Sequence, residues 1–147
     1  MKYYSYDEFR NDVKKLIKML NGFESDSIIA IARGGLTFAH AVAEGLNIRD
    51  VQTLRTELYD ETKKREKITV FGECNLEAAR NVLVLDDIAD SGETLEAVMR
   101  QLEIDHPEVT FKVATLFYKK TSVYEPHIWI NEANEWIDFF WERDFKG

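Results

Sequence analysis

Apolar positions mark out the elements in order. Ser5 followed by Glu8 has capping-box spacing, in which each side chain satisfies a free backbone N–H at a helix start. Phe9, Val13, Leu16, Ile17 and Leu20 then recur on one helical face, and Gly22 is placed to end the helix. Residues 27–32 (Ser-Ile-Ile-Ala-Ile-Ala) form a continuous apolar run, the pattern of a strand buried on both faces of a parallel sheet. A helix is expected over 36–46, with Gly45 near its end, and a second strand over 51–56. From 57 to 72 the pattern is lost, and the mixed-charge stretch 60–67 reads as a mobile loop or an exposed hairpin. Residues 82–85 (Val-Leu-Val-Leu) are the clearest buried strand and run into Asp86-Asp87. Leu95, Val98, Met99 and Leu102 then share one face of a helix beginning near Thr94. Residues 111–117 read as a further strand, and the tail beyond Thr121 is rich in aromatics.

This alternation predicts an α/β fold over 1–147. It is a doubly wound, mostly parallel sheet flanked by helices, in a single domain. Ligands of such sheets bind beyond the carboxyl ends of the strands. Those ends carry the unusual residues: Arg33-Gly34-Gly35, the stretch from Asp86 to Thr94, and Lys119.

Composition narrows the function classes without naming one. In 147 residues, 45% are hydrophobic and 31% charged, the balance of a globular chain. A formal charge of −8 gives the long-range field the wrong sign for general binding of nucleic acid or an anionic membrane. The one cysteine, Cys74, has no internal partner, and no Cys/His cluster has zinc-ligand spacing. The N-terminal residues lack the apolar core of a signal peptide, and no run is long enough to span a bilayer. A cytoplasmic location is expected.

The stretch Val82-Leu83-Val84-Leu85-Asp86-Asp87-Ile88-Ala89-Asp90-Ser91-Gly92-Glu93-Thr94 carries the most chemistry. Gly92 lets backbone approach a ligand closely. Ser91 and Thr94 bring hydroxyls, and the free N–H groups at the following helix start favour a phosphate. Asp86 and Asp87 are acceptors suited to vicinal ribose hydroxyls or to a hydrated Mg²⁺. An Asp pair alone is also an ordinary turn-and-cap signal; the whole string is far more specific.

That string resembles the phosphoribosyl-pyrophosphate (PRPP) motif of the type I phosphoribosyltransferases, and the resemblance implies a small C-terminal/N-terminal hood beside the sheet. The resemblance implies that Asp86 and Asp87 hold the ribose, with Asp87 also at the metal. It places Ile88, Ala89, Asp90, Ser91, Gly92, Glu93 and Thr94 around PRPP, with 90–94 cradling its 5′-phosphate. Arg33 and the Gly34 amide would bind the pyrophosphate leaving group, and Arg65 is a second candidate there. Ala89 is smaller than the branched residue usual in the family.

The second half of the chain resembles the bacterial xanthine-guanine branch of that family. Lys119, after the strand 112–117, would face the purine 6-oxo group, because an ammonium selects a carbonyl acceptor over an amino donor. Trp136 would stack on the base and Ile137 supply a backbone contact. Asp90 would meet the N7 proton as the catalytic group. The branch implies purine salvage: transfer of ribose 5-phosphate from PRPP to N9 of guanine, xanthine or hypoxanthine, with Mg²⁺ as cofactor and a homo-oligomeric assembly. Two residues depart from the pattern. Leu58 stands where relatives have Ser, and Glu142 stands where they have Asp after the C-terminal tryptophan. A hypoxanthine-preferring enzyme is the alternative within the fold, and a non-catalytic PRPP-sensing regulator is the alternative outside it. The charge and the lack of an appended helix-turn-helix weigh against the regulator.

Overall fold

Side chains on a strand alternate between the two faces of its sheet, and here that alternation sorts the apolar runs into two cores. The computed structural model describes residues 1–62 and 65–147, with the side chains of 59–66 left aside. Its elements are β1 (Lys2–Tyr4), α1 (Tyr6–Met19), β2 (Ser27–Ala32), α2 (Leu36–Leu46), β3 (Val51–Thr62), β4 (Arg65–Phe71), β5 (Asn81–Ala89), α3 (Glu93–Asp105), β6 (Thr110–Tyr118), β7 (Ile128–Glu132), β8 (Ile137–Phe139) and α4 (Phe140–Arg143). Ile28, Ala30, Leu83, Leu85, Ala114 and Leu116 pack with Phe9, Val13 and Leu16 of α1 and Phe38 and Val42 of α2. Their neighbours Ile29, Ile31, Val82, Val84 and Val113 pack with Leu95, Val98, Met99 and Leu102 of α3. A strand covered on both faces needs apolar residues at every position, which is why these segments read as unbroken runs.

The main sheet has the order β4-β3-β2-β5-β6-β7, and every neighbouring pair is parallel except β3–β4. The expected mostly parallel, helix-flanked sheet is therefore present. Of the two readings of 60–67, a hairpin is the one that the antiparallel pairing of β3 with β4 favours, with Arg55 opposite Phe71, Leu58 opposite Ile68 and Asp60 opposite Glu66; residues 63 and 64 lie outside the described residues. The strand expected over 51–56 consequently continues to Thr62. β5 runs through the acid pair to Ala89, so Asp86 and Asp87 lie inside the strand's last turn of pairing and not beyond it.

Local signals behave as their chemistry dictates. Ser5 caps α1: the Glu8 N–H donates to Ser5 Oγ at 3.2 Å, and the Ser5 N–H donates to Glu8 Oε2 at 3.0 Å. α2 spans the expected Leu36–Leu46, and Asn47, whose left-handed φ is 54°, closes it. Gly45 lets the end of the Ile17 side chain pack close against α2.

A second, two-stranded sheet pairs β1 with β8 in parallel, Lys2 opposite Ile137 and Tyr4 opposite Phe139. The Lys2 N–H also donates to the Trp136 carbonyl at 2.9 Å. Strands this short are marginal alone, so aromatics carry the attachment. Tyr4 meets Phe117, Phe139 and Trp141 edge-on, and Trp141 stacks on Phe139 with centroids 4.6 Å apart. The buried Tyr4 hydroxyl donates to Asp12 at 2.6 Å, and Asn131 Nδ2 donates to the same carboxylate at 2.8 Å. Most of the aromatic tail is thus structural. No helix among the described residues is long and apolar enough to cross a membrane.

Candidate functional site

Two clefts open at the carboxyl ends of the parallel strands. The larger, about 720 Å³, brings together Arg33 and Gly34 after β2, Asp86 and Asp87 of β5, and Thr94 of α3. The smaller, about 310 Å³, holds Asp87, Ile88, Asp90, Lys119, Trp136 and Ile137. Asp87 and Glu142 line both, so the clefts share a wall.

The turn after β2 is tight because two strands crowd it. A Cβ on Gly34 would collide with the Asp87 carboxylate, whose Cγ would lie 2.8 Å away. On Gly35 it would lie 2.6 Å from the Leu85 carbonyl and 2.8 Å from that of Ile31. Glycine at both positions therefore follows from the close approach of this turn to β5. The Ala32–Arg33 peptide is cis.

Asp86 and Asp87 are both buried and are held by backbone. The Asp87 N–H donates to Asp86 Oδ1, and the Ile88 N–H to Asp87 Oδ1, each at 2.8 Å. Burial pushes the Asp86 carboxyl well above the usual carboxylate range, and the neighbouring Asp87 charge adds to it. Burial likewise raises Asp87 to about 6, with Glu142 contributing repulsion, against the lowering effect of its hydrogen bonds. Among the described residues no cluster of three or more His, Cys, Asp or Glu forms a metal cage. The donor set still suits Mg²⁺, which binds through one or two carboxylates and substrate phosphates and retains waters. Hard oxygens in an excess of negative charge are the right donors for it.

The loop between β5 and α3 turns at Gly92, whose φ is +82°. A Cβ there would strike the Ser122 hydroxyl and come within 2.7 Å of the Tyr124 N. The segment 122–124 braces the loop, with the Val123 N–H donating to the Ser91 carbonyl at 2.8 Å. The Glu93 N–H donates to Ser91 Oγ at 3.3 Å, so Ser91 caps the first turn and its hydroxyl is partly committed. The remaining N–H groups of that turn face no intrahelical carbonyl, the standard arrangement for anion binding. This brace was invisible in the sequence, because 122–124 belongs to no periodic element.

In the smaller cleft, the Lys119 ammonium lies 3.6 Å from Asp90 Oδ1, and both side chains are more than half exposed. Trp136 is 72% exposed, so its indole is a free face and not a core ring. The Ile137 side chain is buried, leaving only its backbone to offer. Ala89 is buried against α3, so a ligand meets its backbone alone. The side chain of Arg65 lies outside the described residues. Thr37 and Thr56 line the larger cleft without having been anticipated. Thr37 stands in the first turn after Gly34-Gly35, a readable phosphate-type position; Thr56 lies where the pattern was lost.

A parallel sheet with a glycine turn, an acid pair and an anion-binding helix start converging on one cleft defines a ligand-binding α/β protein of the phosphate-handling kind. Residues 3–145 match the family described as phosphoribosyl transferase domain, and the chain belongs to that family. It is 30% identical over 152 residues to xanthine-guanine phosphoribosyltransferase of Ruegeria sp. (strain TM1040), covering 94% of this chain and 83% of the relative. To the enzyme of that name from Idiomarina loihiensis it is 28% identical, with 94% and 84% covered. Among solved structures it superposes on Helicobacter pylori xanthine-guanine-hypoxanthine phosphoribosyltransferase with a TM-score of 0.88, at 34% identity, over 97% of this chain and 94% of that one. A purine phosphoribosyltransferase from Pyrococcus horikoshii gives 0.83 at 27% identity, over 95% and 92%. The expected fold and the expected class of enzyme, a phosphoribosyltransferase, both stand.

Proposed function

We propose that the protein transfers ribose 5-phosphate from PRPP to N9 of a 6-oxopurine, releasing pyrophosphate with inversion at C1′. The observation that carries this is the pair of clefts sharing Asp87 and Glu142, one built for phosphates and the other holding a single lysine beside a free tryptophan face. Donor and base bound in the two clefts would face each other across that wall, which supplies proximity and orientation.

In this reading Asp86 and Asp87 accept from the ribose hydroxyls, the 90–94 loop cradles the 5′-phosphate, and Arg33 with the Gly34 N–H holds the diphosphate. Asp87 would hold Mg²⁺, which would supply positive charge to offset that of the leaving group. The reacting centre develops oxocarbenium character, so the residues contribute placement and charge. Lys119 donates to O6, Trp136 stacks on the ring, and the Ile137 carbonyl accepts from a 2-amino group. Asp90 takes the N7 proton's hydrogen bond as N9 forms its new bond, and its salt bridge with Lys119 keeps both groups at the base edge. Cytoplasmic residence and homo-oligomeric assembly belong to the same reading and rest on the family resemblance.

The test is a spectrophotometric turnover screen with PRPP, Mg²⁺ and each of adenine, guanine, xanthine, hypoxanthine, uracil and orotate. Turnover confined to the three 6-oxopurines is the expected result. Use of adenine at a rate comparable to guanine would remove the base assignment while leaving the donor assignment standing.

A further inference from the structure

We propose that Lys146 is a further binding residue for the ribosyl donor, its ammonium contacting a phosphoryl group in the larger cleft. This rests on the reading of that cleft as the PRPP site. Lys146 and Glu142 both line the cleft, whose opposite contributors include Arg33, Asp86 and Asp87. The carboxylates there outnumber the cations, and a diphosphate ester brings several more negative charges. Binding it demands every cation within reach.

The tail is arranged to hold this residue in place. Its root is fixed by Trp141, stacked on Phe139 and meeting Phe9 edge-on at 5.4 Å. The Asp144 N–H donates to the Phe140 carbonyl at 2.9 Å, and the Lys146 N–H to that of Arg143 at 3.2 Å, so the chain keeps turning past α4. The charged residues of the tail divide by direction. Arg143 pairs with Asp138 at 2.9 Å, and Asp144 accepts from the Tyr3 hydroxyl at 2.9 Å, both on the two-stranded sheet. Glu142 of α4 and Lys146, three residues beyond its end, are the tail's charged residues that line the cleft. Lys146 has no ion-pair partner among the described residues, whereas Arg143 of the same tail is paired.

The experiment compares wild type with Lys146→Ala and Lys146→Arg in steady-state turnover with Mg²⁺ fixed. Lys146→Ala is expected to raise the KM for PRPP about tenfold, the size of one exposed charge-assisted hydrogen bond. The KM for guanine should stay unchanged, and Lys146→Arg should recover most of the loss. Calorimetric titration with pyrophosphate and, separately, ribose 5-phosphate assigns the contact: the ligand whose affinity falls in Lys146→Ala carries the phosphoryl group concerned. An unchanged PRPP KM, or an equal rise in both KM values, overturns the inference. If wild type itself neither binds PRPP nor turns over, the reading of the cleft fails first, and the two failures are thereby distinct.

Discussion

The two clefts sit side by side but are built by different means. The larger stands on the ends of β2 and β5, paired strands at the middle of the main sheet, with its carboxylates buried and fixed by backbone N–H groups. The smaller is closed by β8, which pairs only with β1 over three positions and is held by ring contacts around Tyr4. The larger cleft, the proposed donor side, is a consequence of the fold itself. The smaller, the proposed base side, is an attachment to it, with an exposed indole and an exposed lysine–aspartate pair. Tight placement matters most where bonds break, so the rigid half is the one expected to hold the reacting sugar, while the attached half selects among bases.

The sharpest way to break this comparison is to remove both acids. Asp86→Ala with Asp87→Ala should abolish turnover, a loss on the order of 10³-fold or more for groups that act on the reacting sugar. The sheet should survive, because both side chains sit at the cleft end of β5 and the core below them is apolar. Calorimetry with PRPP and Mg²⁺ checks the cause; unchanged affinity would detach these residues from the donor.

The base side should yield smaller and more selective effects. Lys119→Ala removes the one cation that lines the smaller cleft among the described residues and should lower kcat/KM for guanine, xanthine and hypoxanthine together by about 10–100-fold, the range of a charged hydrogen bond lost from a partly desolvated site. Trp136→Ala should weaken all three by similar, smaller factors, since every purine has a π-face. A Trp136→Ala variant that changed the ranking of bases would show that the indole does more than stack.

Legibility in the sequence divides along the same line. The donor cleft was readable because its parts are contiguous: strand, acid pair, glycine loop and helix start follow one another from Val82 to Thr94. The central strands were readable because burial on both faces leaves unbroken apolar runs at 28–32 and 82–85. The ends were harder. β5 continues past its acids because Asp86 pairs with Thr115 in β6 and Ala89 with Tyr118, a fact of register that local pattern does not carry. β1 and β8 are three residues each and exist through one another across the length of the chain. The role of Tyr4 was equally hidden, since its hydroxyl meets Asp12 and its ring meets Phe139 only after folding. Trp136 and Trp141 look alike in sequence, yet one is exposed at the base cleft and the other stacks on Phe139.

The smallest effect concerns stability, and it tests whether the donor cleft is built at a cost in the ligand-free protein. Burial raises the Asp87 carboxyl to about 6, above an unfolded value near ~3.9. The folded chain therefore holds this proton more tightly than the unfolded chain does. The contribution of Asp87 to stability falls as pH rises from about 4 to about 6, and its deficit persists above that window. Asp87→Asn removes the charge and keeps an oxygen to accept from the Ile88 N–H. At pH 7.5 without ligand or Mg²⁺, this variant should be more stable than wild type by about 1–3 kcal/mol, the scale of such a shift. That corresponds to a rise in Tm of several degrees, at about 2–4 °C per kcal/mol for a chain of this size. The difference should shrink as pH falls through about 6 to about 4 and vanish below that, where wild type carries the proton in both states. Mg²⁺ with pyrophosphate should stabilise wild type and do less for the variant. Scanning calorimetry across that pH range is decisive: a variant that melts at or below wild type at pH 7.5 would mean that the buried carboxylate is already compensated within the fold.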